Sequence, residues 1–197
     1  MLKRLEIILT LLIVVAIVGS LSGAGYFNVI LMICITPLAG IYFYLSIALF
    51  NGISFRDIFK KERYGEISTK RMIGTIGMGI SFSIILMGFL FKFLLLPGAS
   101  QMLSIGVVQL SVVSLVAVYK LFTTNQSQIF FYRNAFKRII PIYMVGLFMY
   151  LLPPDTLIDF KFRDYPEYAE LLKKSIEDPT NEQLQQELQE ERAKFKD

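Results

Sequence analysis

The chain alternates long apolar runs with short polar breaks, most of them basic. Residues 7–55, 72–91 and 93–119 contain no charged residue. A helix of about 20 residues crosses the roughly 30 Å of bilayer hydrocarbon, so these runs read as membrane helices. The first extends from about Leu5 to Val18 behind Lys3 and Arg4. It ends in Gly19-Ser20-Leu21-Ser22-Gly23-Ala24-Gly25, too rich in glycine for the middle of a strong helix. A second run, Tyr26 to Phe50, follows at once. Two helices joined by a tight hairpin fit this pattern. A cleaved leader fits it too, because a basic start, an apolar stretch and small residues are its marks. Tyr26 lies outside in either case.

The break from Asn51 to Arg71 carries Arg56, Lys60, Lys61, Arg63, Lys70 and Arg71 against Asp57, Glu62 and Glu66, the strongest cytoplasmic signal in the chain. Phe55, Ile58 and Phe59 share a helical face behind Ser54, which predicts a short N-capped helix on the inner leaflet. A third span over 72–95 and a fourth over 100–122 meet at Pro97-Gly98-Ala99, a stop and a turn. Lys92, near the end of the third, is expected to extend its ammonium to the outer interface. Beyond the fourth, Lys120, Arg133, Lys137 and Arg138 again mark the cytoplasmic side. Ile129, Tyr132 and Phe136 form a stripe that predicts a surface helix over 127–138. A fifth span is expected over 137–152, with Pro141 in its first turn and Pro153-Pro154 ending it.

The remaining segment is of another kind. Residues 1–152 carry thirteen Lys/Arg against four Asp/Glu, a net +9, whereas 153–197 carry seven against twelve, a net −5. The chain thus divides into a transmembrane region, 1–154, with spans over 5–19, 26–50, 72–95, 100–122 and 137–152, and a small acidic tail, 155–197. In the tail Ile158, Phe160 and Phe162 alternate with charges as in a strand. Pro166 opens a helix through about Glu177, Asp178-Pro179-Thr180 breaks it, and Thr180 with Gln183 resembles a capping box for a last helix through Phe195. Leu184, Leu188 and Phe195 are that helix's only apolar stripe. The fold class expected is all-α: a polytopic helical membrane protein with two hairpins, 1–50 and 72–122, a fifth span and a helical tail.

Composition narrows the chemistry. Charged residues make up 18% of the chain, below the roughly 25% of soluble domains, and the positive ones fall between apolar runs. Anionic lipid, rather than nucleic acid, explains them. With no histidine and a single cysteine, Cys34, in an apolar run, the usual general base, haem ligand, zinc ligands and CxxC pairs are missing. No phosphate-binding loop or nucleophile elbow appears either. Neither an enzyme nor a cofactor is expected.

Proton-driven machines need an ionisable group at depth. Here the first four spans carry no Asp, Glu, Arg or His at depth; Glu6 stands at a helix entrance and Lys92 near an exit. The most polar cluster at depth is Ser104, Gln109, Ser111 and Ser114, a candidate lining for a path or, more simply, interhelical hydrogen bonds. Small residues four apart, Gly19/Gly23, Gly77/Ser81 and Gly79/Ser83, allow close helix packing within the chain or between copies.

Residues 88–106 read G-F-L-F-K-F-L-L-L-P-G-A-S-Q-M-L-S-I-G. This resembles the hairpin signature of the gliding-motility GldL-related membrane proteins, G-x-x-F-K-(I/V)-x-H-W-P-G-A-x-x-M-L-x-x-G. Gly88, Phe91, Lys92, Pro97, Gly98, Ala99, Met102, Leu103 and Gly106 match it. The tail phrases F-R-D-Y-P-E-Y and E-D-P-T-N-E-Q-L look like tails in the same group. The resemblance implies a hairpin in a bacterial inner membrane and, for the motor members, a proton-coupled stator serving gliding and type IX secretion. Leu95 and Leu96 replace the signature's His-Trp, and Gln109 and Leu110 stand where the motor members carry a glutamate. The resemblance therefore implies the hairpin without the engine. The expected role is a non-enzymatic subunit packing with membrane partners or with itself. A small transporter or channel, or an accessory subunit of such a motor, are the alternatives.

Overall fold

The computed structural model describes residues 1–20, 26–65, 67–123, 126–178 and 180–193. Its helices are α1 (Leu2–Ser20), α2 (Tyr26–Asn51), α3 (Thr69–Phe93), α4 (Ala99–Thr123), α5 (Gln126–Leu151), α6 (Pro154–Lys161), α7 (Pro166–Glu177) and α8 (Glu182–Ala193). No strand occurs among the described residues. The chain is an all-α polytopic protein. Three helices, α2, α3 and α4, are long and apolar enough to cross a membrane, and the part of α5 from Ile129 passes the same test together with α6, bent by 94°. Lys3, Arg4 and Glu6 crowd the first turns of α1, the remainder of which is apolar.

Helix α3 is the hub. It packs between α2 and α4, α5 closes on α3 and α4, and α1 lies along α2. Phe82 and Ile85 of α3, Ile35 of α2, and Leu103 and Leu110 of α4 are fully enclosed. The outward faces are as apolar as the core: Leu11, Val15 and Val18 of α1 and Val108, Val112 and Leu115 of α4 are all exposed. A water-soluble protein rarely leaves so continuous an apolar surface bare.

Small residues decide how close the helices come. Gly79 of α3 lies against Ser46 and the Tyr42 carbonyl of α2, with no room for a Cβ. Gly88 abuts Leu103, and a Cβ on Gly106 would sit 2.7 Å from Ile85, so α3 and α4 interlock through reciprocal notches. The small-residue faces of α3 thus serve packing within the chain. Gly19 is in α1, whereas Gly23 and the hairpin turn 21–25 lie outside the described residues.

The α3–α4 turn follows from its sequence. Leu96 N–H donates to the Phe91 carbonyl at 2.7 Å and Leu95 sits in the left-handed region (φ 58°), closing α3 in a Schellman-type cap. Gly98 (φ 83°) turns the chain into α4. A leucine at a left-handed position costs about 1 kcal/mol. It is tolerated because Pro97 and the buried Phe93 and Ala99 fix the turn on both sides.

Several expectations are corrected. The basic loop after α2 forms two 3-10 turns, Phe55–Asp57 and Lys61–Tyr64, rather than one amphipathic helix, and Ser54 makes no side-chain cap. Phe59 stands almost fully exposed, and Asp57 bonds Lys60 at 2.8 Å, which holds its carboxyl below the usual carboxylate range. The expected surface helix 127–138 and span 137–152 are one continuous helix, α5, with Pro141 in its interior. The row that packs inward is Phe131, Ala135 and Ile139, four apart, running through the expected boundary; Arg71 of α3 lies over the Phe131 ring at 4.0 Å. The strand-like stretch at 158–162 begins instead as α6, because Pro154 opens a helix whose adjacent Leu157 and Ile158 are buried together. The cap of α8 is Asn181, whose Oδ1 accepts from Gln183 and Leu184 N–H, while Thr180 bonds Asp178. Glu66, Pro179 and Phe195 lie outside the described residues.

The tail folds back over the α3–α4 turn. Lys92 is buried and donates to the Leu152 carbonyl at the end of α5, rather than reaching for an interface. In return, Lys161 of α6 donates to the Phe93 carbonyl at 3.1 Å and lies 5.0 Å from the Phe93 ring centre. These crossed lysines satisfy carbonyls that helix ends otherwise leave open. Lys173 pairs with Asp159, and Gln185 donates to Ser175 at 2.8 Å, so α6, α7 and α8 are tied in series.

Candidate functional site

The resemblance-derived residues form a structural turn. Gly88, Leu103 and Gly106 make the α3–α4 interlock, Pro97, Gly98 and Ala99 the turn, and Lys92 the bond to α5, with Phe91 and Met102 half-buried beside them. The polar residues of α4 are spread out. Ser104 bonds the Gln101 carbonyl of its own helix, and Ser111 bonds the Val107 carbonyl and, at 3.0 Å, the Tyr143 hydroxyl of α5. Gln109 is half-buried, and the Ser114 hydroxyl is enclosed without a partner. None of the four lines the cavity described next.

The concentrated chemistry lies between α1, α2 and α5. Glu6 is buried at 7% exposure, not placed at an open entrance as the sequence led us to expect. Arg138 grips it with both arms of the guanidinium: Nε donates to Oε1 at 2.6 Å and Nη2 to Oε2 at 2.7 Å. The Tyr42 hydroxyl donates to Oε1 at 2.7 Å, and Phe50 lies under the guanidinium at 5.5 Å. One turn along α1, the Thr10 hydroxyl bonds the Glu6 carbonyl at 2.8 Å. A bidentate arginine–carboxylate fork is the strongest common charge-assisted pair, and here it bridges residues 132 apart in sequence.

Its position follows from the register of the first hairpin. Glu6 faces Tyr42, and Ser20 donates to Asn28 at 2.7 Å, so α1 and α2 run antiparallel with the end of α2 overshooting the start of α1. Tyr42 is nine residues before Asn51, hence about 13 Å inward from that end of the bundle. The pair is therefore sunk below the basic rim formed by Lys3, Arg4 and the loop residues 52–65.

Inward of the pair lies a cavity of about 300 Å³, walled by α1, α2, α3 and α5, with Ile13, Ile17, Leu38, Phe89, Pro141 and Val145 among its lining. Its polar groups, Glu6, Thr10, Tyr42, Lys137 and Arg138, come from the ion-pair cluster and its surroundings. Among the described residues no group of His, Cys, Asp and Glu is placed to hold a metal ion. Cys34 is buried and unpaired in α2.

Sequence reasoning missed this cluster, although a signal for it existed. Glu6 is the only carboxylate in α1–α5, and a lone acid on a membrane helix calls for a cation on a neighbour. Arg138, next to an apolar run, was one of several such cations, with Arg71, Lys120, Arg133 and Lys137 among the others. No protein-family model, no curated protein and no solved structure matches this chain.

Proposed function

We propose that this helical membrane protein is a non-enzymatic subunit that packs with other membrane proteins, with its acidic tail as a docking element. The observation supporting the reading is the state of Glu6. The only acid of the five long helices is engaged at both oxygens by an arginine fork and at one by a tyrosine, an arrangement that clamps helices together. The wide apolar faces of α1 and α4 and the exposed Ile176 of the tail are the surfaces such partners would cover. In this reading the GldL-like turn is a packing module. An accessory place in a proton-driven gliding or type IX secretion motor would need the acid from another subunit. The membrane proposed is the bacterial cytoplasmic membrane, with its anionic inner leaflet at the basic end, the N-terminus inside and the tail outside.

Two measurements test this. Extraction in mild detergent followed by mass measurement is expected to give a homo-oligomer or a complex with another membrane protein; a strictly monomeric particle across several detergents and native lipid overturns the packing role. In a Cys34→Ala background, Lys174→Cys is expected to react with an impermeant maleimide in intact cells, and Ser54→Cys only after permeabilisation. The opposite pattern inverts the orientation.

A further inference from the structure

The cavity inward of Glu6 and Arg138 is a lateral crevice. Helix α1 packs on α2 and meets α5 mainly through the Glu6–Arg138 pair, so below that pair α1 and α5 stand apart, with α2 and α3 as the floor. Val14 on the α1 side and Val145 on the α5 side line the crevice and are also exposed at the bundle surface. On the outer side of the pair is a second, more polar depression. It is lined by Lys3, Asn134, Lys137 and Arg138, and it shares Glu6, Thr10, Lys137 and Arg138 with the crevice. A basic shelf thus leads directly into an apolar slot.

The dimensions and charges choose the occupant. From Glu6 to Ile17 the slot follows α1 for eleven residues, about 16 Å. That is close to the hydrocarbon depth of one leaflet, about 15 Å. At the shelf, Lys3, Lys137 and Arg138 oppose the single carboxylate of Glu6, an excess of two positive charges. Arg138 is committed to Glu6, whereas Lys137 is exposed and Lys3 stands at the surface. We propose that the crevice holds one acyl chain of an anionic phospholipid from the leaflet at the basic end, with its phosphate on Lys3 and Lys137. A zwitterionic lipid brings its own cation to the same place and lacks the net charge that the shelf matches.

The test uses the full chain in nanodiscs and in detergent, probed with phosphatidylglycerol and phosphatidylcholine of identical chains. Native mass spectrometry is expected to show phosphatidylglycerol retained at least tenfold more strongly. The double variant Lys3→Gln/Lys137→Gln should reduce that preference by about 10- to 30-fold, since each lysine near a surface contributes roughly one factor of five. Val145→Trp, which fills the slot and leaves the shelf intact, should displace the lipid, while Val112→Trp on the outer face of α4 should not. Equal retention of the two lipids overturns the proposal. Retention that falls with the lysines but survives Val145→Trp also overturns it, because the lipid would then lie on the charged surface alone.

Discussion

Replacing Arg138 with alanine is expected to destabilise the bundle by about 3 kcal/mol, the low end of what breaking a buried ion pair costs. The low end applies because the two side chains keep 19% and 10% of their surface. The loss has two parts. The fork that joins α5 to α1 disappears, and Glu6 is left as an unpaired carboxylate with only the Tyr42 hydroxyl donating to it. Glu6→Ala should cost less, about 1–2 kcal/mol, because a freed arginine can extend its long stem toward the basic rim, as a short glutamate cannot. Glu6→Ala with Arg138→Ala should then be no worse than Arg138→Ala alone, since neither charge remains to be stranded. Reversible unfolding of the four proteins in bicelles measures all three differences. If Arg138→Ala unfolds like the parent protein, the pair does not hold α1 in place. Strict additivity of the two single variants would show the same.

The second large effect concerns Gly79. A Cβ there would overlap the Tyr42 carbonyl oxygen and Ser46 on α2, and backbone cannot step aside as a flexible side-chain end can. Gly79→Ala therefore forces α2 and α3 apart, with an expected loss of about 2–3 kcal/mol from overpacking. The displacement also moves Tyr42, so the Tyr42–Glu6 bond should lengthen with it. Gly40→Ala and Gly74→Ala are the controls, since a Cβ at either position meets nothing within 4 Å. Both lie inside helices, where alanine is favoured over glycine by roughly 0.5–1 kcal/mol, so a small gain is expected. The same unfolding assay separates the cases. A Gly79→Ala protein as stable as the Gly40→Ala protein would mean that the α2–α3 interface is looser than its geometry.

Helix positions were largely legible in the chain. The second, third and fourth runs became α2, α3 and α4 within three residues at each end, because uncharged stretches bounded by basic residues, proline and glycine leave few other places for a helix to begin or stop. Two local patterns misled. The alternation at 158–162 resembled a strand, yet Pro153-Pro154 starts a helix and the two adjacent apolar residues find one shared burial site. The stripe at 129, 132 and 136 suggested a separate surface helix, but Phe131, Ala135 and Ile139 are the residues buried in the core, and they carry the helix straight on. Periodicity in a sequence shows that a face exists, and only a neighbouring helix shows which face is used.

The candidate site was hardly legible. The α4 residues Ser104, Gln109, Ser111 and Ser114 stand out as polar groups in an apolar run, yet in the folded chain Ser104 bonds its own helix, Ser111 bonds its own helix and Tyr143, the Ser114 hydroxyl is enclosed without a partner, and none of the four lines the cavity. The place of Lys92 near a helix end suggests an interface residue, whereas a carbonyl at the end of α5 gives it a buried partner.

By itself, the amino-acid sequence determined the class of protein, the number and rough extent of its long helices, and which end of the bundle is basic. These follow from properties summed over twenty residues at a time, apolar free energy and charge, which do not depend on what lies alongside. Tertiary structure alone decided that Glu6, Tyr42 and Arg138 meet, that Gly79 is a contact and Gly40 is not, and that a leaflet-deep slot opens between α1 and α5. Those outcomes depend on the rotation of each helix about its axis and on its register against its neighbours. Both are set by the fit of individual side chains across an interface, which no single helix encodes in its own pattern.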